Sequence, residues 1–389
     1  MYSPEDFGLL NLFMSIGGVL ILLAGLEWYN AVVLPEKEEE AQAIVHMSLF
    51  SILALTVFLL LSVPFAVPIA RLFNTPQLAN YYWLLPLYVA LISIWNVLNY
   101  WYIRNKQYGR ISGYQMSLSL FSAGYKTGFG LMGKLGGGLI YATILSSLCA
   151  LVLSLAVAGQ KILSPLLRVN TAMCRKMACR YANFPKYATP RAILNNIIGQ
   201  LPVLVLTPMF GSRLVGFWGV ALLLAFLPIS TIARALYQVF FQKTVEWINA
   251  KQSILPFYRK FSIYTVGIII PLFVLLYFIL PQLTAWLLGN EWWTVGEYIR
   301  WMLPWLVCNI LSASIGYLPD IFFKQKIGLL FEIMLAVSRV IGVGLGIAMN
   351  SFTIAIAGYA LGSAIVNGIQ YIWLLSLVRK YEMTLPKTN

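Results

Sequence analysis

The chain has 389 residues, 60% of them hydrophobic and 10% charged, with a formal net charge of +14. A soluble domain carries about 25% charged residues, so this balance, with its repeated long apolar runs, excludes a soluble fold and points to helices that cross a membrane. One histidine and four scattered cysteines give no spacing for a zinc site or a disulfide framework, and no metal or cofactor is expected.

Eleven spans are predicted, at residues 8–33, 46–70, 82–103, 110–132, 136–158, 188–210, 214–241, 261–288, 298–322, 327–349 and 353–378. The first is too long for a signal peptide and lacks a basic leader. Placing the N-terminus outside puts Lys37, Arg104, Lys106, Arg110, the run from Lys161 to Arg191, Lys243 to Lys260, Lys324, Lys326 and the tail on the inner side. Only Arg71, Lys134 and Arg213 then lie outside. This bias fixes the orientation and accounts for most of the positive charge, so no nucleic acid partner is expected. "MYSPEDFG" would then start outside with no helix to carry it there, the pattern expected when a first transmembrane helix is missing from the recorded start.

The halves repeat. A shift of 218 residues superposes Leu85-Pro86 on Leu303-Pro304, Lys106-Gln107 on Lys324-Gln325, Gly124 and Gly128 on Gly342 and Gly346, and Tyr141-Ala142 on Tyr359-Ala360. Near the start a shift of 208 places Gly8 on Gly216 and Tyr29 on Tyr237. Collinear matches of this kind indicate a parallel repeat. The expected fold is an all-α polytopic membrane protein of two six-helix-type bundles. Residues 1–158 form an N-terminal lobe of five spans, 159–187 a basic cytoplasmic connection, and 188–389 a C-terminal lobe of six spans with a short tail.

"YSPEDFGLLNLF" resembles the segment after the first helix in bacterial polysaccharide exporters, and "FPKYATPRAILNNIIGQLPVLVLTPMFG" resembles their seventh-helix segment. Together they resemble the O-antigen and capsule flippase branch of the multidrug/oligosaccharidyl-lipid/polysaccharide exporter superfamily. The resemblance implies a V-shaped pair of bundles, alternating access and no enzymatic step. It also implies an undecaprenyl-diphosphate-linked oligosaccharide as cargo, the bacterial inner membrane as location, and membrane lipid and polysaccharide assembly proteins as partners.

Four cations fall inside spans: Lys126, Arg234, Arg300 and Arg339. Facing lipid, they would together cost on the order of 10 kcal/mol, so they are expected to face protein, water or counter-charges. A surplus of buried positive charge suits a diphosphate, to which arginine gives paired hydrogen bonds. Arg300, beside Trp292, Trp293 and Trp301, could equally snorkel to the interface. Lys126 lies among Gly124, Gly128 and Gly130, which are expected to let helices close around it. Asn196 and Gln200, one turn apart, could bind sugar hydroxyls or tie helices together. Glu27, Asp320 and Glu332 are the candidates for ion coupling. Asp320 could instead bond Lys324, and Glu332 shares a helical face with Arg339.

Two motifs are set aside. Gly128-Phe-Gly130-Leu-Met-Gly133 satisfies the dinucleotide pattern but follows no strand, and the acidic run Glu36 to Glu40 reads as a solvated loop. Two other functions stay open. A small-molecule exporter of the multidrug branch is disfavoured by the cationic interior, and a membrane polymerase, ligase or acyltransferase by the short, acid-poor outer loops.

Overall fold

The computed structural model describes residues 2–133, 137–158, 170–182, 184–322 and 324–384, and all regular structure among them is helical. The chain divides into two compact units, Met1–Gly216 and Phe217–Asn389.

In the first unit, α1 (Pro4–Gly25) starts in a capping box. Ser3 Oγ accepts from Asp6 N at 3.3 Å, and the Asp6 carboxylate accepts from Ser3 N at 2.9 Å. The helix stops at Leu26 and Glu27, both left-handed (φ 45° and 55°), and turns into a 3₁₀ segment, Trp28–Val33. Then come α2 (Glu38–Leu61), α3 (Ala66–Leu72), α4 (Leu85–Arg104), α5 (Tyr108–Leu131) and α6 (Gly138–Ala158). Arg104, ending α4, donates to the carbonyls of Val32, Pro35 and Glu36 and so closes the 3₁₀ turn.

The basic connection contains a short helix, α7 (Thr171–Arg180), that docks on α2 through buried Met177. Arg180 Nη1 lies 3.2 Å from Glu40 Oε2, so the acidic run is not wholly solvated. Residues 159–169, part of the same predicted connection, lie outside the described residues. Next are α8 (Thr189–Gly199) and α9 (Leu201–Phe210), which meet at a bend of 47°. Pro202 has no N–H for the Ile198 carbonyl, so the helix breaks there. Both helices pack on α1.

Helix α10 (Ser212–Ala221) carries the chain into the second unit. A π-turn (Leu222–Phe226) leads to α11 (Leu227–Asn249), α12 (Leu255–Leu288), α13 (Trp293–Ser314), α14 (Leu318–Ile321), α15 (Gln325–Ala348) and α16 (Phe352–Thr384). The core of this unit gathers Phe240, Tyr258, Ile315, Tyr317, Leu374 and Val378. Within it the Tyr258 and Tyr317 hydroxyls lie 2.8 Å apart, and Thr244 Oγ1 lies 2.5 and 3.0 Å from them, closing a buried ring. At the end of α16, Glu382 accepts from Ser253 Oγ and from Leu255 N, capping α12.

Each of the eleven predicted spans overlaps helix among the described residues, although α1 ends at Gly25 within the first and the ninth is interrupted between Ser314 and Leu318. Among the described residues, eight helices are long and apolar enough to cross a membrane, and the bent pair makes a ninth. Helices α5 and α13 have the length, 24 and 22 residues, but are too polar to count on composition.

Glycines set how closely the helices approach. Gly8 and Gly216, superposed by the 208-residue shift, sit against one another: a Cβ on Gly216 would lie 3.0 Å from Gly8 N. In α15, Gly342 meets Gly358 of α16, where a Cβ would lie 2.8 Å from Gly342 Cα. A Cβ on Gly362 would lie 3.1 Å from Ser338 O. Gly124 and Gly128, the repeat counterparts of Gly342 and Gly346, have nothing within 4 Å of a Cβ. The expectation that they draw helices together around Lys126 is therefore wrong. The 218-residue shift places Ile140 and Ile144 of α6 where α16 has Gly358 and Gly362. Both isoleucines are buried, so α6 lacks the glycines that α16 presents at the corresponding places.

Gly358→Leu is expected to destabilise the detergent-solubilised protein by about 1–3 kcal/mol, the usual range for overpacking. Gly128→Leu should leave its thermal unfolding midpoint unchanged. Equal shifts from the two variants would refute the asymmetry.

Candidate functional site

A cation inside a spanning helix needs some solvation other than lipid, and the four in this chain find different kinds. Arg300, on α13, reaches α12. Its Nε donates to the Tyr277 carbonyl at 2.5 Å and its Nη2 to the Phe278 carbonyl at 3.2 Å, with the guanidinium 5.3 Å from the Tyr277 ring centroid. Four residues after Tyr277 stands Pro281, inside α12, which has no N–H to give that carbonyl. A Cβ on Gly296 would lie 2.5 Å from Pro281 N, so α13 runs close against the kink. Arg300 therefore completes a broken helix, with its guanidinium on two protein carbonyls.

Arg339, on α15, is half-buried and held by aromatic faces. Its Nε donates to Ser363 Oγ at 2.9 Å, while its guanidinium carbon lies 4.8 Å from the Tyr359 centroid and 5.6 Å from that of Trp305. Trp305 stacks on Phe226 at 4.7 Å, and Tyr359 meets Trp305 edge-on at 5.7 Å. These contacts orient the cation, each cation–π pair adding about 0.5–2 kcal/mol, without cancelling its charge. No carboxylate among the described residues pairs with it. Trp305 Nε1 is buried there without a partner, a second unused donor. Glu332, two turns earlier on the same helix, is exposed. The cage belongs to the second unit alone: the 218-residue shift puts Phe121 at the Arg339 position and Leu87 at that of Trp305.

Lys126 lies on α5, where only Tyr114 and Ser117 are buried within the unit. Its carbonyl accepts from Tyr2 OH at 2.8 Å, but its ammonium has no partner among the described residues. Ser112, Gln115, Ser119, Ser122 and Lys126 recur at intervals of three and four, so they share one helical face and extend about 21 Å along it. All five are exposed or half-exposed in the unit. A stripe this polar would be costly against lipid. Lys126 stands out in the sequence as a charge within a span, whereas the rest of the stripe does not, although its 3–4 spacing was there to be read. The aromatic cage had no sequence signal, since its members are 20 or more residues apart.

Arg234, on α11, is exposed, and no hydrogen bond or ion pair among the described residues engages it. Asn196 and Gln200 both face α1. Gln200 Oε1 accepts from Ser15 Oγ at 3.0 Å, at the 47° bend, and thus serves as an interhelical tie. Asn196 Oδ1 lies 3.5 Å from where a Gly18 Cβ would be and is buried without a partner. Glu27 is 7% exposed, and its carboxylate accepts from Tyr29 OH at 2.6 Å and from Asn30 Nδ2. It therefore fastens the left-handed turn in which it sits. The side chain of Asp320, on α14, lies outside the described residues. No group of three His, Cys, Asp or Glu gathers among the described residues.

Arg300→Met is expected to destabilise the protein by about 1–3 kcal/mol, because the Tyr277 carbonyl is left without a donor. Pro281→Ala returns the missing N–H, so the double variant should recover most of that loss in a double-mutant cycle of thermal unfolding. Strict additivity would show that the two residues do not share the carbonyl.

A family model described as "Polysaccharide biosynthesis protein" matches residues 1–296. Among solved structures, an inward-facing multidrug resistance MATE family transporter of the MOP superfamily aligns with TM-score 0.71 and 15% identity, over 98% of this chain and 92% of that one. A MATE protein in its bent conformation aligns at TM-score 0.58 and 15% identity, covering 98% and 89%. A MOP superfamily transporter from Pyrococcus furiosus, reported with a binding pocket of reverse polarity, gives 0.54 and 15%, with 98% and 89% covered. None of the curated proteins matches the chain. By the family match, the chain belongs to the polysaccharide biosynthesis protein family, and its apolar helices and two-repeat helical fold, shared with MATE transporters, make it a multi-pass membrane protein.

Proposed function

We propose that the protein carries a polyprenyl-diphosphate-linked oligosaccharide, such as an O-antigen, capsule or exopolysaccharide unit, across the bacterial inner membrane by alternating access. No bond is made or broken in this reading. The observation that carries it is Arg339: a guanidinium fixed by Trp305, Tyr359 and Ser363, with no carboxylate paired to it. Nε is taken by Ser363, which leaves the terminal nitrogens for paired, charge-assisted bonds to phosphate oxygens.

Lys126 and Arg234 add further unpaired positive charge, one in each unit. The hydroxyls and amide along the α5 stripe offer donors and acceptors of the kind a glycan needs. The polyprenyl chain stays in the bilayer among membrane lipids, and polysaccharide assembly proteins supply and receive the cargo. Export of small molecules is the second reading, since a multidrug transporter shares the fold, but unpaired cations suit an anionic cargo better than cationic drugs.

Arg339→Gln and Lys126→Gln, each expressed in a strain lacking the native protein, are expected to lower surface polysaccharide at least about tenfold, the weight of a charged hydrogen bond. Membrane insertion of both variants should match the wild type. Normal surface polysaccharide from both would remove the assignment. A deletion strain with altered drug susceptibility and intact surface glycan would favour the second reading.

A further inference from the structure

The N-terminal turn of α5 holds another cation, one that no contact within the fold explains. Arg110 has a terminal nitrogen, Nη1, that is shut away from solvent and has no hydrogen-bond partner. Its guanidinium carbon stands 5.8 Å from the ring of Tyr102, and the Tyr102 hydroxyl lies 3.4 Å from Ser154 Oγ on α6. A charged donor left empty in a dry place is costly, and natural structures fill such positions with a ligand, an ion or water.

A cavity of ≈ 350 Å³ opens beside Arg110 in the seam between α5 and α6. Gly109 and Gly113 leave it unblocked, since a Cβ on either would meet nothing within 4 Å. Ser117 and Ser154 supply hydroxyls to its wall, and Leu153 and Val157 make the rest apolar. No acid occupies the first turn of α5, and Gln107 provides no side-chain cap there, so the unbonded N–H groups of the helix start add positive potential. The nearby acidic run is occupied elsewhere in part, with Glu40 paired to Arg180.

We propose that this seam binds a phosphate group carried on an apolar chain, with Arg110 on the phosphate and the chain lying over Leu153 and Val157. A free inorganic anion would leave the apolar wall uncovered, and a neutral apolar molecule would leave Nη1 unmatched. Two membrane components have this chemistry: an anionic phospholipid, and the polyprenyl diphosphate of the cargo proposed above. Only the second depends on that functional reading.

The test is direct binding to the purified full-length protein, by native mass spectrometry and competition, with phosphatidylglycerol, farnesyl diphosphate and inorganic phosphate as probes. Wild type is expected to hold at least one of the two lipid probes and to ignore inorganic phosphate. Arg110→Gln should weaken that binding at least about tenfold, Arg110→Lys should weaken it less, and Gly113→Leu should block the cavity. Preference for phosphatidylglycerol assigns the site to bulk lipid; displacement of that lipid by farnesyl diphosphate assigns it to cargo. Unchanged affinity for both lipid probes in Arg110→Gln overturns the proposal, and this variant decides the matter even if Gly113→Leu fails to fold. Loss of binding with export intact would leave the seam standing apart from the transport reading.

Discussion

Positive charge inside an apolar span has to be stabilised by something that is not hydrocarbon, and this constraint orders the structure. Arg300 meets it with two main-chain oxygens, one of which, that of Tyr277, a proline has set free. Arg339 meets it with ring faces and one hydroxyl. Lys126 sits on a helix whose exposed face carries a stripe of serines and a glutamine. The first arrangement ties Nε and one terminal nitrogen to the backbone, whereas the second engages Nε alone and leaves both terminal nitrogens over. Position in a span therefore says little about role; the partners decide it.

The two units share an ancestry in sequence but differ in how they are built. In the second, small residues on both α15 and α16 bring backbones together, the usual way membrane helices gain packing energy. In the first, α6 has buried isoleucines at the corresponding places, and Gly124 and Gly128 of α5 face open space. In the first unit α5 carries a polar stripe and borders a cavity; in the second the close pair α15 and α16 holds Arg339 against Ser363 and Tyr359.

Much of this was legible in the residues. Apolar runs located the helices, because a bilayer permits almost no other spanning structure, and the repeat was visible as matched landmarks. The four span cations were found because charge is rare in such runs. Their partners were not found. Arg300 and Tyr277 are 23 residues apart, and Arg339 and Ser363 are 24 apart, so only packing brings them together. Gln200 and Ser15 are further apart still. The glycine reading failed for the same reason: close approach needs small residues on both helices, and one helix alone does not reveal its partner. Helix α7 escaped notice because its short basic sequence reads as loop until Met177 finds α2.

The ring of Thr244, Tyr258 and Tyr317 has a mechanical consequence. Three hydroxyls own three protons, so every oxygen is satisfied only when the donors point round the ring in one sense. Sliding α11 past α12 would sever two of these bonds together, with no water at hand to replace them. That corner of the unit behaves as a clamp, and bending is diverted to Pro271 and Pro281, where α12 already lacks rungs of its ladder.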